Sequence, residues 1–270
     1  MGRGEMKRNF KRVFVGSDSH CGHRAGLTPP QFQVSGGFGK WEALQAELWE
    51  FYMEKLYKWK PFDIAILNGD LTEGKGQRSG GSELITADRF KQAEIAYQAF
   101  REIRAKKYRL VAGTPYHSGM EEDFEIKVCD EFIKNCCDCE FNGHGFYEIN
   151  GRNFDVKHKI ASGMHHTRAT PLLKEIDANM FWADDDIEPR ADIVIRSHVH
   201  KSLQTYQDGR YGFITPALTG LGDKYGSRQC SNVVEFGFLV IDVPDKREED
   251  IRWKFETLKG QVNRSKCEVL

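Results

Sequence analysis

The stretch "RVFVGSDSHCGH", Arg12 to His23, decides how this chain is read. Val13, Phe14 and Val15 form an unbroken apolar run that stops at Gly16. A short continuous apolar run bounded by small residues reads as a strand buried on both faces. Asp18 and His20 follow directly, one residue apart. In open α/β sheets, ligands bind beyond the carboxyl ends of the strands. The residues behind every other apolar run therefore carry the next information.

"FDIAILN" (62–68) is followed by Gly69 and Asp70, and "YRLVAG" (108–113) by Thr114 and His117. "NFDVKH" (153–158) ends on His158, and "DIVIRSH" (192–198) leads into His198 and His200. Further strands are predicted at 145–149, 211–215, 233–243 and 251–258. Between them lie helical patterns. Trp41, Leu44, Leu48, Tyr52, Leu56 and Trp59 recur at three- and four-residue spacing and make one apolar helix face. Residues 84–107 repeat the pattern with Ala93, Ala96, Phe100 and Ile103. A third helix is predicted to start at Ser118, where Ser118 and Glu121 match a capping box and Glu122 and Asp123 fill the first turn. A fourth is predicted over 171–183.

Alternating strands and helices in the front half, and mostly strands behind, predict one α/β domain over 1–270. Its expected form is two packed sheets with outer helices, residues 1–11 being a flexible tail. The 270 residues are enough for a sizeable core. With 40% hydrophobic and 29% charged residues the composition is that of a water-soluble globular chain, and a net charge of −1 gives no global pull toward nucleic acid or membrane. No stretch approaches a membrane span, and the basic start "MGRGEMKRNFKR" lacks the apolar centre of a signal peptide. A cytoplasmic location is expected. Seven cysteines suggest no secreted disulfide framework. Cys136 and Cys139 have CxxC spacing, but no second pair completes a zinc site, so Cys129, Cys136, Cys137 and Cys139 read as reduced thiols at a helix end, with zinc as the alternative.

One Asp or His after a strand is ordinary turn chemistry. Here five of the nine histidines and two aspartates follow predicted strands. Alternate residues of an extended segment face one side, so Asp18 with His20, and His198 with His200, are each expected to aim at one place or at two neighbouring places. Mixed carboxylate and imidazole donors suit Mn, Fe or Zn better than Mg or Ca. Paired metals about 3.5–4 Å apart are the usual means of cutting phosphate esters. A carboxylate must bridge them, and Asp70 is the natural candidate.

"DSH" (18–20), "NGD" (68–70), "GTPYH" (113–117), "KH" (157–158) and "SHVH" (197–200) stand in that order across most of the chain. The series resembles the calcineurin-like metallophosphoesterase superfamily, whose pattern is D-x-H, G-D, G-N-H-[DE], a lone His and G-H-x-H. The resemblance implies a two-sheet β-sandwich flanked by helices, a four-layer αββα arrangement, and two divalent metal ions, Mn first. It implies that Asp18, His20 and His200 hold the first metal, that His158 and His198 hold the second, and that Asp70 bridges. A hydroxide activated by the two metals would attack the phosphorus of a phosphate monoester or diester. His117 would be the catalytic histidine, close to the N-terminus of the helix expected at Ser118. The third motif departs from the pattern: Thr114 stands where an Asn ligand is expected, which leaves Asn68, His117 or water to replace it. His165 and His166 are rivals to His158 for the fourth motif.

Cations in glycine-rich loops are candidates for holding a phosphate-rich substrate: Lys40, Lys75, Arg78, Arg168, Lys224 and Arg228. Asn68 and Thr114 join Lys75, Arg78 and Arg168 as candidate substrate-binding residues. Phe32, Phe38 and Tyr225 could stack bases in a nuclease. Two readings compete with a general phosphoesterase: a nuclease acting on DNA or RNA, and a metal-binding or scaffold protein with weakened catalysis.

Overall fold

In a computed structural model, residues 8–35, 39–119, 123–163, 167–221 and 234–258 are described. The strands are β1 (Phe10–Gly16), β2 (Ile64–Asn68), β3 (Lys107–Val111), β4 (Asp138–Asn142), β5 (Gly145–Ile149), β6 (Arg152–Val156), β7 (Ile193–Arg196), β8 (Leu203–Gln207), β9 (Arg210–Ile214), β10 (Phe236–Pro244) and β11 (Arg252–Leu258). The helices are α1 (Gly39–Trp59), α2 (Arg89–Phe100), α3 (Pro115–Ser118), α4 (Asp123–Lys134) and α5 (Thr170–Asp184).

Two sheets form. The first has the order β11-β10-β1-β2-β3-β4, and the second β5-β6-β7-β9-β8. β1 through β4 run parallel, as do β6, β7 and β9, while β10, β11, β5 and β8 pair antiparallel. Strand alternation sorts the apolar residues. Val13 and Val15 join Ile66, Val111, Leu239 and Ile241 against Phe154, Val156, Ile193, Ile195 and Phe213 of the second sheet. Phe14, between those two valines, faces the other way and packs with Leu44, Leu48, Tyr52, Ala96, Phe100 and Phe132 of α1, α2 and α4. On the far side, α5 covers the second sheet through Leu172 and Ile176 against Val194 and Ile214. The order of layers is therefore helix, sheet, sheet, helix, as expected. No helix among the described residues is long and apolar enough to cross a membrane.

The structure corrects several local expectations. Part of the tail expected over 1–11 is ordered: Phe10 and Lys11 pair with Pro244 and Val243, and Arg8 bonds Asp63, while residues 1–7 lie outside the described residues. The helix expected from 84 starts at Arg89, because the Asp88 carboxylate accepts from the backbone N–H of Phe90 and Lys91 and caps it there. Ser118 caps no helix. It is the last residue of α3, and its hydroxyl donates to the Thr114 carbonyl. Glu121 and Glu122 lie outside the described residues, and α4 follows separately. His117 accordingly sits inside α3 rather than before a helix. The strands β4 and β8 were not expected. Their sequences, "DCEFN" and "LQTYQ", are too polar to stand out, and both lie at sheet edges where one flank only is paired.

Candidate metal centre

The parallel strands of both sheets end on the same side, and their following loops carry the Asp and His residues. Backbone bonds lock the loops together. Asp18 N–H donates to the Gly69 carbonyl at 2.9 Å, His20 N–H to Asp70 at 3.1 Å, and Ser197 N–H to His158 at 2.8 Å. Between the sheets, the Ser17 hydroxyl meets the Thr215 hydroxyl at 2.7 Å, and within the second sheet Thr215 meets the Ser197 hydroxyl at 2.7 Å.

Asp18, His20, Asp70, His198 and His200 all have left-handed backbones, with φ of 50°, 43°, 51°, 74° and 55°. A non-glycine residue pays roughly 1–2 kcal/mol for that conformation. The strain sits on five of the residues singled out by the sequence, a placement typical of functional sites. It also corrects the extended-segment argument. Asp18 and His20 converge because the chain turns, not because alternate residues of a strand share a face.

Three groups of donors result, each with its atoms within 4.8 Å of one another: Asp18, His20 and His200; Asp18, Asp70, His158 and His198; and His20, Asp70 and His117. Asp18 and Asp70 are each shared by two groups. His198 and His200 fall in different groups, the two-neighbouring-places alternative. Asp18, Asp70 and His158 are buried, whereas the side chains of His198, His200 and His117 are 37%, 27% and 17% exposed. These three lie on the solvent-facing side of the cluster.

The ring atoms report what the cluster lacks. His158 Nε2 and His20 Nε2 are buried without a hydrogen-bond partner, and a buried polar atom in that state is costly. His158 Nε2 stands 3.1 Å from Asp70 Oδ2 and 3.7 Å from Asp18 Oδ1. Burial disfavours a charged His158, but Asp70 and Asp18 outweigh it and raise its pKa to about 10. The same proximity holds both aspartates well below the usual carboxylate range despite their burial. Borderline imidazole and hard carboxylate donors, with two buried imidazole nitrogens unpartnered, fit Mn, Fe or Zn.

Two carboxylates escaped the sequence reading. Glu73 Oε2 lies 2.9 Å from His20 Nδ1 and 3.3 Å from His117 Nδ1. It orients two rings at once, as outer carboxylates do for metal-bound histidines. Burial opposes ionised Glu73, but bonds from His117 and His20 hold its pKa far below the ordinary value. The same bonds raise His117 to about 9 against burial. Glu125 is fully buried on α4. Its Oε1 accepts Leu71 N–H at 2.8 Å and its Oε2 accepts Gly113 N–H at 2.6 Å, fixing the loops behind β2 and β3. The signal for Glu73 was its place three residues behind Asp70 in "GDLTEG". Glu125 left no such local signal.

The remaining expectations divide. Thr114 does reach the cluster, where its N–H and hydroxyl donate to Asp70 Oδ1 at 2.6 and 3.0 Å. Asn68 is fully buried; its amide N–H donates to Ser197 Oγ and the Lys157 carbonyl, and its Oδ1 has no hydrogen-bond partner. Lys75 and Arg168 are exposed. Phe32 is partly buried against the core and takes Lys91 Nζ over its ring at 4.7 Å. The side chains of Lys40 and Arg78, and residues Phe38, His165, His166, Lys224, Tyr225 and Arg228, lie outside the described residues. The zinc alternative at the cysteines is not met: among the described residues they form no three-donor group.

Fold and site together define a class: an αββα sandwich with an Asp/His cluster at the carboxyl ends of its parallel strands. No family model matches the chain, and no curated protein sequence matches it. Solved structures do. A novel archaeal phosphodiesterase is 13% identical, with 90% of this chain and 99% of that one covered and a TM-score of 0.47. Vps29 from Entamoeba histolytica, complexed with zinc, is 14% identical over 91% of this chain and 98% of that one, with a TM-score of 0.45. Vps29 from Cryptosporidium parvum is 11% identical over 93% and 99%, with a TM-score of 0.48.

Proposed function

We propose that this protein is a metal-dependent hydrolase of phosphate mono- or diesters. The observation that carries the reading is the sharing of Asp18 and Asp70 among adjoining Asp/His donor groups. Asp18, His20 and His200 would hold one divalent ion, and Asp70, His158 and His198, joined by Asp18, the other. Mn is the first candidate, and Fe and Zn suit the same donors. Bound there, the ions supply Lewis-acid polarisation of the phosphoryl oxygens and a nucleophile at neutral pH.

The chain's own groups do the rest. Thr114 pins Asp70 Oδ1 through two donors, which turns Oδ2 toward His158. Glu73 keeps His20 and His117 in fixed orientation. His117, with its pKa raised to about 9, holds a proton at neutral pH. Its Nδ1 is spent on Glu73, so Nε2–H is the proton to offer a leaving oxygen.

The test is metal content of the purified protein together with Mn-stimulated hydrolysis of p-nitrophenyl phosphate and bis-p-nitrophenyl phosphate. Two metals with turnover are expected, and Asp70→Asn should lower turnover by at least about 100-fold. The preferred ester separates phosphatase from diesterase, and nicking of DNA or RNA would specify a nuclease. Metal without turnover on any of these would favour the scaffold reading. No metal after Mn reconstitution would overturn the proposal.

A further inference from the structure

Away from the Asp/His cluster, α4 and β4 bring two thiols together. Cys129 on α4 and Cys139 on β4 have their sulfurs 3.1 Å apart. Both are free cysteines, 4% and 9% exposed. A disulfide needs only about 1 Å of further approach, since its S–S bond is about 2.05 Å. β4 is the last strand of its sheet, where Cys139 sits opposite Tyr108 of β3. The sulfur pair is therefore a direct side-chain link between that edge and the helix covering it. The pair stands apart from the proposed phosphoesterase site and does not depend on that reading.

We propose that Cys129 and Cys139 are a redox pair, which a small disulfide oxidant converts to one disulfide that fastens α4 to β4. The Cys129 thiolate attacks a sulfur of the oxidant and displaces one thiolate. The Cys139 sulfur, on losing its proton, attacks Cys129 and displaces the second. Two protein thiols give up two protons and two electrons, and the oxidant leaves as two thiols. The same steps hold with the two cysteines exchanged, since either sulfur can donate to the other.

The link bears on the strand-end loops through the same helix. Glu125 lies one helical turn before Cys129, and its carboxylate holds the Leu71 and Gly113 amides. Tethering α4 at Cys129 restrains the helix that carries this clamp, so local opening there becomes rarer.

The experiment treats the reduced full chain with cystamine, unfolds and alkylates it, and maps the digested peptides. The expected result is a Cys129–Cys139 linked peptide, with neither of these two cysteines alkylated. The oxidised protein should melt about 5 °C higher and exchange the Leu71 and Gly113 amide hydrogens several-fold more slowly. Alkylation of both Cys129 and Cys139 after treatment would overturn the proposal. So would linkage of either to Cys136 or Cys137, or an equal rise in melting temperature in Cys129→Ser. Unchanged exchange at Leu71 and Gly113 in the linked protein would overturn the coupling to the loops.

Discussion

His158 Nδ1 stands 2.7 Å from the backbone carbonyl oxygen of Asn68. A carbonyl only accepts, so Nδ1 carries the hydrogen and Nε2 is the atom turned to Asp70 and Asp18. The last residue of β2 thus selects the tautomer of a histidine that follows β6, joining the two sheets at the site.

His158→Ala removes a buried imidazole that faces both aspartates. The variant should bind one equivalent of Mn fewer than the parent and lose turnover, while keeping its fold by circular dichroism. Metal analysis after gel filtration checks this. Two full equivalents in the variant would assign the second ion to other donors.

Glu73→Gln keeps the shape of the side chain but removes the charge that His20 and His117 share. Metal affinity or turnover should fall by roughly 10–100-fold. The His117 pKa, raised to about 9 with Glu73 as its leading raising contact, should move down toward its ordinary 6.5. The alkaline limb of the kcat profile should move to lower pH in parallel. A profile that keeps its alkaline limb would remove His117 from the role of acid.

The metal-free protein should lose stability as pH rises. His158 and His117 have folded pKa values of about 10 and 9, above their ordinary 6.5. Their contribution is complete below pH 6.5 and is lost as pH climbs through the folded values. In EDTA the melting temperature should therefore fall between pH 6.5 and 10, and Mn should reduce the fall because it replaces the proton. Melting curves across that range, with and without Mn, measure the effect. A flat EDTA curve would contradict the placement of His158 against the aspartates.

Gly113→Ala tests how tightly the loop behind β3 is packed on Asp70. A Cβ there would lie 2.2 Å from Asp70 N and 2.3 Å from Asp70 Oδ1. Backbone atoms cannot yield as a flexible side chain can. The variant should be destabilised by roughly 1–3 kcal/mol and bind metal more weakly. Denaturant melts and Mn titration provide the readouts, and parental values in both would show that the loop can shift.

Much of this arrangement was legible before any coordinates. β1, β2 and β7 announce themselves because strands buried on both faces must be apolar, a local property of "VFV", "IAIL" or "IVI", whereas β3 ("KYRLV") and β6 ("RNFDV") show only short apolar pieces among polar residues. The residues behind them are legible because Asp and His recur directly after these runs. The edge strands β4 and β8 were not legible. With one flank paired they need less apolar surface, and their pairing comes from Arg109 opposite Glu140 and Phe213 opposite Gln204 rather than from their own composition.

What the sequence by itself determined, then, is the ordered set Asp18, His20, Asp70, His117, His158, His198 and His200, together with the strands that deliver it. The tertiary structure alone decided how those residues divide. It placed His198 and His200 in different donor groups, turned Asn68 inward to Ser197, and gave Thr114 to Asp70. It also brought in Glu73 and, from α4, Glu125. The physical reason is that strand periodicity is set by neighbours along the chain. Left-handed turns, the choice of ring nitrogen and the partner of a buried carboxylate are set by groups from other strands and helices, which meet only when the two sheets close on each other.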